Sequence, residues 1–152
     1  VCNGFNGTQT SSLFRNNGAG EFVKITSGVV ATNITPGGFA NSCAWVDYDN
    51  DGFLDLFVTQ NSEIQAVKNF FYHNNGDGTF TKILSGSIVT DLGYGKNCAW
   101  GDYDNDGLLD LLVINGYGRQ NFLYHNDGSG AFSRVLTPLV GSSRNSSFGR
   151  SA

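Results

Sequence analysis

Asp47-Tyr48-Asp49-Asn50-Asp51-Gly52-Phe53-Leu54-Asp55 occurs again as Asp102-Tyr103-Asp104-Asn105-Asp106-Gly107-Leu108-Leu109-Asp110. Carboxylates at positions 1, 3, 5 and 9, with glycine at 6, are a way for a chain to wrap a hard, oxygen-loving cation. Glycine at the sixth position permits the sharp turn that lets the first three aspartates project inward. The carbonyl of Phe53 or Leu108 can then face the ion, and Asp55 or Asp110 closes the shell. Calcium is the expected occupant, because an all-oxygen set without His or Cys disfavours zinc and copper, and magnesium keeps its waters in a tight octahedron. One such loop could equally be an acidic turn held by side-chain bonds to its own backbone. Two in register are hard to explain without an ion, since carboxylates this close repel one another unless neutralised. The expectation is two Ca²⁺ sites.

The pattern matches an EF-hand loop through position nine and then departs from it. Position twelve is Val58 or Val113 where an EF-hand has a bidentate Glu, and the flanking residues read as strands.

The loops belong to a longer repeat. Cys43-Ala44-Trp45 recurs as Cys98-Ala99-Trp100, 55 residues later. A second landmark occurs three times, at Leu13–Phe22, Phe71–Phe80 and Leu123–Phe132, each with an Asn and two glycines in the middle. Phe148–Ala152 lines up with Tyr94–Cys98, so another unit is expected to begin where the chain stops. A period of 50 to 60 residues is in the range of a propeller blade. Within one unit the alternation predicts strands at Asn41–Val46, Leu54–Thr59, Asn69–His73 and Thr79–Leu84. The next unit gives Asn97–Gly101, Leu109–Asn115, Asn121–His125 and Ala131–Leu136. Asn75-Gly76-Asp77-Gly78 is a hairpin signal.

The predicted fold is therefore all-β: propeller blades of four antiparallel strands, about two and a half of them. Residues 11–40 end one blade, 41–96 and 97–140 are full blades, and 141–152 lead into the next. Two and a half blades do not close a ring, so the chain reads as a piece of a longer one. The alternative is an open array whose exposed blade edges pair with identical chains.

Composition supports this. The 152 residues hold 21 glycines, 12 Phe, 6 Tyr and 2 Trp, but only 2 prolines and no Met, a mixture suited to short aromatic strands and tight turns. Eight of the 13 acidic residues lie in the two loops, so two divalent ions would cancel the net charge of −4. Lys and Arg form no basic stripe, which argues against nucleic acid, and no apolar run is long enough to span a membrane. Neither a signal peptide nor an initiator Met precedes Val1, pointing to a processed chain or a fragment.

With these residues in hand, the chain resembles the FG-GAP family, also described as VCBS or integrin-alpha-like repeats. The Asp-x-Asp-x-Asp-Gly-x-x-Asp-Leu core is met at Asp47–Leu56 and Asp102–Leu111, and the resemblance covers nearly all of Leu13–Ala152. It implies a calcium-bound β-propeller in a secreted or surface protein. Its metal ligands map to Asp47, Asp49, Asp51, the Phe53 carbonyl and Asp55, and to Asp102, Asp104, Asp106, the Leu108 carbonyl and Asp110.

Catalysis is not expected. No nucleophile elbow, phosphate loop or zinc-protease motif occurs, and the aspartates are committed as ligands. His73 and His125 hold equivalent repeat positions, where the first unit has Arg15, and read as structural. The expected role is an extracellular adhesion or protein-interaction module. The alternative is a carbohydrate-binding propeller with Tyr72, Tyr94, Tyr117 or Tyr124 as sugar contacts. Cys43 and Cys98 read as buried thiols on equivalent strands, with Cys2 left over. Asn6-Gly7-Thr8, Asn33-Ile34-Thr35 and Asn145-Ser146-Ser147 are glycosylation sequons consistent with secretion.

Overall fold

The computed structural model describes residues 11–33 and 38–136. Cys2, the sequons at Asn6 and Asn145, Thr35 of the middle sequon and the lead-in at 141–152 lie outside the described residues.

The elements in chain order are β1 (Leu13–Asn16), β2 (Phe22–Ile25), the helical turn α1 (Val29–Thr32), β3 (Phe39–Val46), β4 (Asp55–Asn61), β5 (Val67–Lys68), β6 (Phe70–Asn74) and β7 (Phe80–Lys82). Then follow α2 (Ser87–Thr90), β8 (Leu92–Gly93), β9 (Gly95–Gly101), β10 (Asp110–Asn115), β11 (Phe122–Gly128) and β12 (Ala131–Val135). Two four-stranded antiparallel meanders result, β3-β4-β6-β7 and β9-β10-β11-β12, with β1-β2 as a separate hairpin and β5-β8 as a small clasp. Each predicted strand is present, with ends shifted by up to three residues. The largest shift is at the end of β11, which runs past His125 to Gly128, and at the start of β3 Phe39 and Ala40 join beyond a bulge at Asn41.

Alternation decides which face meets which sheet. In β4, Phe57 points toward the second meander while Leu56 and Val58 point toward the β1-β2 side. In the second meander the equivalent Leu111 and Val113 point back at the first. The resulting core joins Phe57, Phe71, Tyr48 and Val46 to Leu111, Val113, Tyr124 and Phe132. Trp100 sits in its midst, its ring 5.9 Å from Phe57, 5.8 Å from Phe71 and 5.9 Å from Phe132. Two blades thus pack face to face through one aromatic cluster. Among the described residues the sheets do not close on themselves.

The links between blades contain something the periodicity does not reveal. Ser27-Gly28 and Ser85-Gly86 each introduce one helical turn, with glycine at φ 88° and 90°. These turns are too short for a helical pattern to register, yet α2 delivers Ile88 and Val89 into the inter-blade core and α1 delivers Val30 into the other cluster.

The cysteine expectation needs correction. Cys43 is exposed and Cys98 half-buried, although they occupy equivalent positions on β3 and β9. The faces differ in what covers them: Cys98 lies on the face turned to a complete blade, and Cys43 on the face turned to the β1-β2 hairpin.

Candidate metal centre

Both acidic loops leave the first strand of a blade (β3 or β9) and feed the second (β4 or β10), and they adopt the same backbone. Asn50 and Asn105 have φ of 58° and 62°, and Gly52 and Gly107 follow at 88° and 89°. Asparagine tolerates the left-handed region better than most residues, and glycine enters it without cost. The first aspartate organises the turn. Asp47 accepts the N–H groups of Asp51 and Gly52, both at 3.0 Å, and Asp102 accepts those of Asp106 at 3.1 Å and Gly107 at 2.9 Å. The fifth aspartate caps the next peptide: Phe53 N–H donates to Asp51, and Leu108 N–H to Asp106, both at 2.8 Å.

The ninth aspartate is the buried one. Asp55 accepts N–H bonds from Asn74 (2.7 Å) and Tyr48 (3.4 Å), and Asp110 from Asn126 (2.8 Å) and Tyr103 (3.0 Å). Burial raises the Asp55 carboxyl above its ordinary value; the Asn74 and Tyr48 N–H groups pull it down, Asp49 raises it and His73 lowers it. Burial pushes the Tyr48 hydroxyl up to about 12, with the neighbouring Asp49, Asp55 and Asp51 adding to the shift.

Two overlapping groups of candidate ligand atoms result in each blade. One joins Asp47, Asp49 and Asp51 (Asp102, Asp104 and Asp106 in the second blade), with carboxylate oxygens within 4.8 Å of one another. The other joins Asp49, Asp55 and His73 (Asp104, Asp110 and His125) within the same limit. The structure thus brings all eight aspartates to two clusters. It shows the Phe53 side chain half exposed against Gly76, beside the same hairpin.

The histidines are what the sequence reading missed. His73 Nδ1 lies 3.2 Å from Asp55 and 3.5 Å from Asp49, and His125 Nδ1 lies 3.3 Å from both Asp110 and Asp104. Both Nδ1 atoms are buried without a hydrogen bond. The neighbourhood is therefore not purely oxygen. The signal was present in sequence: His at two equivalent positions, and Arg15 only in the hairpin that has no acidic loop in front of it among the described residues. The carboxylate set fits a hard divalent cation, and each orphaned nitrogen stands at the edge of that set.

The tyrosines divide sharply. Tyr72 and Tyr124 are 2% and 0% exposed in the core, which removes them as sugar contacts. Tyr94 and Tyr117 remain accessible, with ring centroids 5.3 Å apart, beside the side chains of Lys96 and Arg119.

Four-stranded antiparallel blades, stacked through an aromatic core and each bearing an acidic loop between its first two strands, define a β-propeller-type repeat protein. Residues 1–58, 60–113 and 102–150 match the FG-GAP-like repeat, and the chain belongs to that family. It is also similar to cartilage acidic protein 1 of Xenopus tropicalis, 36% identical over 72 residues that cover 45% of this chain and 11% of that protein. The match therefore spans about a tenth of the relative's length. No helix among the described residues is long and apolar enough to cross a membrane.

Proposed function

We propose that this segment is a calcium-stabilised, non-catalytic module that presents a protein-interaction surface in an extracellular setting. The observation that carries the reading is the duplicated loop. Two stretches of sequence 55 residues apart fold to the same backbone and each gathers carboxylates whose oxygens lie within 4.8 Å. Asp47, Asp49, Asp51, Asp55 and the Phe53 carbonyl would hold one ion, and Asp102, Asp104, Asp106, Asp110 and the Leu108 carbonyl the other. A bound divalent cation supplies the positive charge that offsets carboxylate repulsion and ties the first two strands of each blade together. The extracellular setting rests on membership of the repeat family and on a relative named for cartilage.

Calorimetric titration with CaCl₂ should show two sites per chain, and chelation should lower the melting temperature and speed proteolysis of both loops. Identical melting with and without chelator would sink the calcium reading. A second reading, carbohydrate binding, is favoured only by the accessible Tyr94–Tyr117 pair. A glycan array separates it: retention lost in Tyr117→Ala would support it.

A further inference from the structure

The two imidazoles change the chemistry of the acidic loops. His73 and His125 are the only histidines of the chain, and each stands on the third strand of its blade, one residue before the Asn whose N–H caps the ninth aspartate. That bond fixes the backbone, and an edge-on contact with the second residue of the loop fixes the ring. Tyr48 lies 6.2 Å from His73 at 88°, and Tyr103 lies 6.2 Å from His125 at 80°. Nδ1 is thereby aimed between the third and ninth aspartates, 3.5 Å from Asp49 and 3.2 Å from Asp55 in one blade. In the other it lies 3.3 Å from both Asp104 and Asp110. Both nitrogens are buried and make no hydrogen bond. Donor atoms bound to one ion at about 2.0–2.2 Å stand about 3.0–3.5 Å apart, so this spacing is that of neighbouring ligands on a small cation.

We propose that His73 with Asp49 and Asp55, and His125 with Asp104 and Asp110, form two mixed nitrogen–oxygen sites for a borderline divalent ion such as Zn²⁺, with water completing the shell. Carboxylates alone suit calcium or magnesium; an imidazole suits zinc and adds little for those hard ions. Zinc and calcium would both draw on the third and ninth aspartates, so they exclude each other at a loop. The inference uses the loops of the calcium reading but stands on the nitrogen, and either can hold without the other. The two sites are unequal. Asp106 and Asp127 each stand 3.8 Å from His125 Nε2, whereas among the described residues Asp51 alone, at 3.9 Å, approaches His73 Nε2. A carboxylate behind a ligating imidazole orients the ring and strengthens its hold on the ion, which makes the second blade the tighter site.

The test is titration of the full chain with ZnCl₂ in calcium-free buffer, the protein carrying ¹⁵N-labelled histidine. Calorimetry should count two zinc sites; His73→Gln should remove one, His125→Gln the tighter one, and the double variant both. Loss of a ligating nitrogen should weaken zinc by at least about a hundredfold, the upper end of what removing a supporting partner costs. In the parent chain the imidazole ¹⁵N resonances should report Nδ1 as the metal-bound nitrogen of both rings, a readout that needs no variant. Calcium, titrated separately, should still bind the variants. Unchanged zinc affinity in the double variant would assign the ion to the carboxylates alone and overturn the proposal. So would Nδ1 resonances unmoved by zinc, or no zinc binding up to about 1 mM. Loss of calcium together with zinc in the variants would also overturn it, by reducing the imidazoles to supports of the loop. A parent chain that binds zinc at Nδ1 but not calcium would sink the calcium reading and leave this one standing.

Discussion

The side-chain amide of Asn126 donates a 2.9 Å hydrogen bond to the backbone carbonyl of Tyr48, joining β11 of one blade to the acidic loop of the other across 78 positions of sequence. The same amide also donates to the Leu109 carbonyl at 3.1 Å, and its backbone N–H caps Asp110. One buried side chain therefore ties both acidic loops into a single framework. The side-chain amide of its repeat equivalent, Asn74, donates within its own blade, to the Leu54 carbonyl at 3.0 Å.

Asn126→Ala should for this reason be the costlier of the two alanine substitutions. It leaves the Tyr48 and Leu109 carbonyls without this donor, a loss of about 1–3 kcal/mol for each buried group that water cannot reach. Asn74→Ala, at a more accessible site, should cost less. Urea denaturation of the two variants reads the difference directly.

The first and third aspartates of each loop should separate turn formation from cation binding. Asp102 holds two backbone N–H groups, so Asp102→Ala should destabilise the chain by about 1–2 kcal/mol even with chelator present. Asp104 faces His125 and takes no such part in the turn. Asp104→Ala should behave like the parent chain under chelator and lose stability relative to it only when calcium is added. Thermal melts of both variants in calcium and in chelator form the test; equal behaviour would mean that the two carboxylates share one role.

The two tryptophans, each following Cys-Ala and preceding an acidic loop, should respond differently to truncation. Trp100→Ala removes a ring packed among Phe57, Phe71 and Phe132 and should cost about 3–5 kcal/mol. Trp45→Ala removes one that is half exposed and should cost well under that. Chemical denaturation of each variant decides the ranking.

Cys98 should be a slow thiol. Burial pushes it up to about 11, with Cys43 raising it further and a hydrogen bond with Ser42 lowering it. The thiolate is the reactive form, so alkylation at pH 8 should run on the order of a hundredfold slower than for an ordinary cysteine. The rate should climb about tenfold per pH unit until it approaches that value. Mass-spectrometric mapping after timed iodoacetamide treatment measures it, and unfolding the chain should abolish the protection.

Much of this architecture was legible in the one-dimensional pattern, because it is built from local rules. Period-two alternation marks strands, Asn-Gly and Asp-Gly mark hairpins, and a turn packed with aspartates declares itself by spacing. All eight strands of the two complete blades and both acidic loops follow from such signals. The helical turns α1 and α2 escaped because four residues carry no periodicity, and the approach of His73 and His125 escaped because it depends on where the third strand lies relative to a loop some twenty residues earlier.

Sequence alone therefore determined the repeat, the strand order within a blade and the identity of the acidic loops, since each rests on contacts between neighbours along the chain. Tertiary structure alone decided which copy of a repeated residue is covered. Trp45 and Trp100, Cys43 and Cys98, Tyr48 and Tyr103 are equivalent by pattern, yet Tyr48 is 6% exposed and Tyr103 49%. The physical reason is that burial in stacked blades comes from the neighbouring blade. Such contacts join residues far apart in sequence, as Phe57 and Phe71 do with Trp100, and no local pattern encodes them.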